Sequence, residues 1–261
     1  MRLRGIRRSR NVEERRRQSG ARGGKAAPIG GVGLLVILAI GYFAGIDVTP
    51  LLQQGGVPQQ TQTRQVTAQE ERAAEFSSQV LSTTEQVWSL IFPQQVGPEY
   101  TPPTLVLYAD VTQSPCGGAS GATGPFYCPA DRKAYLDTAF FVTLEDRLGA
   151  GGDFAAAYVV AHEVAHHVQN ELGILGQANR IRQQVSERES NAISVRIELQ
   201  ADCFSGIWAR YAQERFDSLE RGDIGEAINA AAQIGDDTLQ RNAGRTVQPH
   251  TFTHGKAEQR Q

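Results

Sequence analysis

Residues 152–172 read GDFAAAYVVAHEVAHHVQNEL, and the fold is read outward from them. The apolar residues Ala155, Ala156, Tyr158, Val159, Val160, Val164, Ala165 and Val168 cover several sides of a 3.6-residue period, which predicts a long buried helix. Asp153 is placed to cap its start and Gly173 to end it. Buried polar groups need partners, yet this helix carries His162, Glu163, His166 and His167 together. His162 and His166 are four residues apart, so both rings project from one face, about one turn apart, and both can reach one metal ion. Glu163 lies about 100° further round, beside such an ion without being its ligand. A surface helix with two incidental histidines is the competing reading, and the apolar surroundings count against it. His167 reads as a packing histidine.

His-Glu-x-x-His is the arrangement of zinc peptidases. A catalytic zinc takes three protein ligands and leaves one position open, so a third ligand is expected downstream. Residues 196–209, RIELQADCFSGIWA, supply Glu198 and Asp202, again four apart on one helix face. Glu198 is read as the third ligand. Asp202, one turn on, is read as the carboxylate that accepts the outer N–H of a ligand histidine. A solvated acidic face is the alternative, weakened by Ile197, Leu199, Ala201, Phe204 and Ile207.

Around these helices the chain predicts an α+β domain, mostly helical, with a small sheet. Phe76, Val80, Thr84, Val87, Trp88 and Ile91 mark a helix over 70–92 that Pro93 stops. TLVLYAD (104–110) and KAYLDTAFF (133–141) predict two strands. Further helices are expected over 188–215 and 225–232, with irregular chain from 242.

Net charge is −2 over 261 residues, but unevenly spread. Residues 1–28 hold ten Lys/Arg and two acids, and the remainder holds 16 basic and 26 acidic residues. An acidic folded part argues against a nucleic-acid partner. The basic arm (1–28) runs into IGGVGLLVILAIGYFAGI (29–46), which has no charged residue. That segment predicts a single transmembrane anchor, with the N-terminus cytoplasmic and the rest outside. A cleaved signal peptide is the rival, without a clear cleavage site. Residues 47–69 read as a Gln-rich linker and 70–261 as the catalytic domain. Cys116 and Cys128 bracket a Gly/Pro-rich stretch and, outside the cytoplasm, predict a disulfide. Cys203 has no visible partner.

FVTLEDRLGAGGDFAAAYVVAHEVAHHVQNELG, RIELQADCFSGIWA, CGGASGATGPFYCPADRKAYLD and FTHGKAEQR together resemble the YpfJ-type family of neutral zinc metallopeptidases. The resemblance runs from about Phe76 onward and includes the Arg-rich start. Members continue past the HG…QR element with a segment holding a further cysteine, a partner for Cys203. The spacing is also similar to that of thermolysin-like zincins. By that similarity His162, His166 and Glu198 match the ligand positions, Glu163 the general base and Asp202 the histidine's carboxylate. The implied fold is zincin-like, with an edge strand that can pair with an extended peptide substrate. His254, in the family's HG element, is the preferred donor to the oxyanion; Tyr108, Tyr127, Tyr135 and Tyr158 are alternatives. The implied activity is zinc-dependent peptide hydrolysis, Glu163 acting on a metal-held water. A zinc-stabilised envelope interaction module without turnover is the alternative; it would need a fourth ligand from His167, His250 or His254.

Overall fold

The computed structural model describes residues 1–17, 65–120, 124–141, 144 and 149–261. The expected anchor, 29–46, and most of the linker lie outside these residues. Among the described residues no helix is long and apolar enough to cross a membrane.

The strands are β1 (Val12–Glu14), β2 (Thr104–Tyr108), β3 (Val111–Ser114), β4 (Gly117–Ser120), β5 (Phe126–Cys128) and β6 (Lys133–Asp137). The helices are α1 (Ala68–Gln95), α2 (Asp153–Glu171), α3 (Ile174–Arg182), α4 (Glu187–Phe216), α5 (Asp223–Gln233), α6 (Asp236–Asn242) and α7 (Ala257–Arg260), with a 3₁₀ turn over Pro249–Thr251. The domain is α+β and mostly helical, as the sequence implies. The chain beyond 242 is more ordered than expected, because short helices bind it onto the site helices.

One mixed sheet has the order β1-β2-β6-β5. β1 and β6 run parallel to β2, in the registers Val12↔Leu105 and Leu105↔Ala134, and β5 runs antiparallel to β6. β2 is apolar at successive positions because it is central and covered on both faces. Leu105, Leu107, Ala134 and Leu136 point into the main core with α1, α2 and α4. Val106, Tyr108, Cys128 and Tyr135 pack on the opposite face, as the two-residue period of a strand requires. β3 and β4 form a separate hairpin. The sheet exceeds the two expected strands because β1 and β5 are three residues long, too short to show a pattern.

Met1–Arg17 belong to the same compact unit as Val66–Gln261, so the first part of the expected basic arm is structural. Met1 and Leu3 are buried in the main core. Arg16 is buried, donates to Glu70 O at 2.7 Å and pairs with Glu14 and Glu71.

α1 opens on a capping box of Thr67 and Glu70 and carries Pro93 in its last turn, ending at Gln95 instead of 92. A proline there costs little, since helix ends fray and regroup their bonds; Val96 and Gly97 both donate to Phe92 O. α2 is capped by Gly152, not Asp153. Gly152 has φ 116°, and a Cβ there would lie 2.2 Å from the Glu226 carboxylate. Glu226 uses that space to accept the Phe154 N–H at 3.0 Å. Asp153 instead takes the α-amino group of Met1 at 2.6 Å. Gly173 does end α2, in the left-handed region.

Candidate metal centre

α2 and α4 pack side by side and bring their polar faces together. His162 Nε2 lies 3.1 Å from Glu198 Oε2, and His166 Nε2 lies 3.4 Å from Glu198 Oε1. One ligand atom from each of His162, His166 and Glu198 falls within 4.8 Å of the others. Two imidazole nitrogens and one carboxylate oxygen suit a borderline ion such as zinc. Burial alone would raise the Glu198 pKa, but its hydrogen bonds to both histidines hold it well below the usual carboxylate range. Burial would likewise lower that of His162, but Asp202 and Glu198 outweigh it and push it up to about 9. The cluster thus demands positive charge at its centre, from a proton or from a metal ion, and the residues fit zinc.

Each candidate ligand histidine is approached from its far side. His162 Nδ1 lies 2.9 Å from Asp202 Oδ1, though without the alignment of a regular hydrogen bond. Asp202 also accepts the Tyr158 hydroxyl at 2.5 Å and two bonds from Arg260, each 2.9 Å. Burial raises the Asp202 pKa, yet His162 and Arg260 bring it down to about 2. His166 Nδ1 meets Gln169 Oε1 at 2.9 Å, and the Gln169 amide donates to Ile197 O and Gln200 Oε1. Gln169 was not foreseen. Its signal was the three-residue spacing from His166 on one helix face.

Glu163 is 9% exposed and faces a cavity of about 880 Å³ shared with His162, His166 and Glu198. Burial raises its pKa, against the pull of both ligand histidines. β5 borders the cavity through Phe126 and Tyr127, and Phe140, Val159 and Ile234 add an apolar wall.

His254 also lines the cavity. Its Nδ1 is 3.2 Å from Asp236 Oδ1, and Asp236 accepts the backbone N–H groups of Thr253, His254 and Gly255. That hydrogen bond raises the His254 pKa above its ordinary value. Gly255, at φ 92°, lets the chain turn there. His250 is not among the residues lining the cavity. His167 is fully buried, 2.9 Å from the Tyr127 hydroxyl and 2.7 Å from Thr101 O, the satisfied packing histidine that was expected. Of the tyrosine alternatives, Tyr158, Tyr127 and Tyr135 give their hydroxyls to Asp202, His167 and Asp131. Tyr108 is buried in the sheet.

Cys116 and Cys128 form the expected disulfide, and Cys203 is free and exposed. Among the described residues a second acidic group, Asp153, Asp223 and Glu226, contains no histidine; it serves the Met1 amino group and the α2 N-terminus.

Two packed helices present His-Glu-x-x-His and a carboxylate into an open cavity, and together they form a candidate metal centre. The chain belongs to the family described as "Putative neutral zinc metallopeptidase", which it matches over residues 1–261. It is 44% identical over 266 residues to the YpfJ protein of Escherichia coli strain K12, covering all of this chain and 92% of that one. It is 43% identical over 190 residues to the Rv2575 protein of Mycobacterium tuberculosis strain H37Rv, covering 69% of this chain and 61% of that one. No solved structure matches.

Proposed function

We propose that this protein hydrolyses peptide bonds as a zinc-dependent endopeptidase. The observation that carries the reading is Glu163: a buried carboxylate beside the ligand triad, facing an open cavity, with its pKa raised toward that of a working base. Zinc held by His162, His166 and Glu198 would supply Lewis acidity, lowering the pKa of a water towards about 7 and polarising the scissile carbonyl. Glu163 then takes the proton of the attacking water and returns it to the leaving amine nitrogen. His254, whose pKa the hydrogen bond to Asp236 raises, donates to the carbonyl oxygen as negative charge develops. Such donors are commonly worth about 3–4 kcal/mol. β5 ends the sheet at the cavity wall. An extended peptide can add to it as a further strand, which makes a peptide or unfolded protein segment the substrate.

Attachment to a membrane through 29–46 is part of the same proposal and rests on the length of that uncharged run. The disulfide favours an oxidising compartment for the metal centre.

The test is Glu163→Gln in the full chain. Zinc content should match wild type, while cleavage of an unstructured protein such as casein should fall by at least 100-fold. Unaltered turnover would refute the base assignment. A wild-type protein that holds zinc yet cleaves nothing would favour the non-catalytic envelope module. That module needs a fourth protein ligand, and His167 is already committed to Tyr127 and Thr101.

A further inference from the structure

The HG…QR element ends on Arg260, whose guanidinium is 1% exposed and lies against the metal centre. Its Nε donates to Asp202 Oδ2 and its Nη2 to Asp202 Oδ1, both at 2.9 Å. Nη2 also reaches the Tyr158 hydroxyl at 3.3 Å and stands 3.9 Å from Glu198 Oε2. A guanidinium gripping both oxygens of a carboxylate fixes its plane as well as its position.

The plane matters because of what surrounds Asp202. Oδ1 meets Tyr158 and Arg260 and lies 2.9 Å from His162 Nδ1. Asp202 is one turn from Glu198 on the same face of α4. Arg260 occupies both of its oxygens and so holds the carboxylate against the outer nitrogen of His162. The proton then belongs on His162 Nδ1, and the Nε2 lone pair faces the ion.

We propose that Arg260 is a positioning residue for the metal centre. It acts through Asp202 to set the tautomer and aim of His162. The inference rests on the His162, His166 and Glu198 site but not on peptide hydrolysis.

The experiment measures zinc affinity of the full chain by competition with a chromophoric chelator. Wild type is compared with Arg260→Gln, Asp202→Asn and the double variant. Loss of a group that orients a ligand histidine weakens metal binding by about 10–100-fold. Arg260→Gln should show that loss, and the double variant should bind zinc no more weakly than Asp202→Asn alone, because the residues act as one unit. Cobalt(II) substitution gives a second readout. Wild type should show the intense visible bands of a four-coordinate ion, and Arg260→Gln shifted bands as His162 loses its fixed aim. Affinity within twofold of wild type with an unchanged cobalt spectrum would overturn the proposal, as would losses that multiply in the double variant. If circular dichroism shows Arg260→Gln unfolded, Arg260→Lys is read instead. Lysine keeps the charge but not the two-point grip, and wild-type affinity and spectrum there would equally overturn it.

Discussion

His166 Nδ1 lies 2.9 Å from Gln169 Oε1, so the second candidate ligand histidine is held by a neutral amide while the first faces a carboxylate. Because that oxygen can only accept, Nδ1 carries the proton and Nε2 is left for the metal. Gln169 is fully buried, and its own N–H groups are taken by α4. Gln169→Ala should weaken zinc binding by about 10-fold or more. It should also lower stability by about 1–3 kcal/mol through the lost bonds to Ile197 O and Gln200 Oε1. Chelator competition and urea unfolding check the two effects separately.

Asp236 raises the His254 pKa, so the imidazole stays protonated at higher pH than an ordinary histidine. If His254 donates to the oxyanion, activity declines as pH rises through that raised value. Asp236→Asn removes the charge, lowers the His254 pKa and should move the alkaline limb of kcat/KM to lower pH. Zinc content should not change. A pH profile superimposable on wild type would remove His254 from this role.

His167 gives the opposite linkage. Burial lowers its pKa, so the folded protein keeps a neutral ring. Below the ordinary value of about 6.5 the unfolded chain takes a proton that the folded state refuses. Stability is therefore lost as pH falls, by up to about 1.4 kcal/mol per pH unit from this group. In chelator, between pH 7.5 and 5.5, wild type should lose more stability than His167→Gln, whose amide can still serve Tyr127 and Thr101. Equal losses in urea unfolding would contradict this account.

The Cys116–Cys128 bridge ties a 12-residue separation to β5. Replacing both cysteines by serine should cost about 3 kcal/mol. Because β5 walls the cavity, KM for a peptide should rise more than zinc affinity falls. Thermal unfolding and steady-state kinetics measure both.

The residues legible in the sequence are those joined by helical spacing. His162, Glu163 and His166 share one helix, and Glu198 and Asp202 share another, so a four-residue step reveals each set. Arg260 and Asp236 reach the site only through tertiary contact, and no local period links them to it. Gln169 was within reach of the same spacing rule but is a neutral side chain that attracts no notice. The long helices were legible from their stripes. β1 was not, because VEE is short, charged and paired with a strand some ninety residues away.

That distant pairing makes β1 the guard of an otherwise open margin. Stripped of it, β2 would offer a bare row of backbone donors and acceptors along an apolar strand, an invitation to self-association. Met1, Leu3 and Val12 would leave gaps in the core as well. A polypeptide begun at residue 66 to avoid the hydrophobic run would thus lack part of its own fold and tend to aggregate. Arg16 and Arg17 stand beside Glu71, in the helix that follows residue 65. Soluble material is better sought by excising 18–65 and joining its two ends than by trimming from the front.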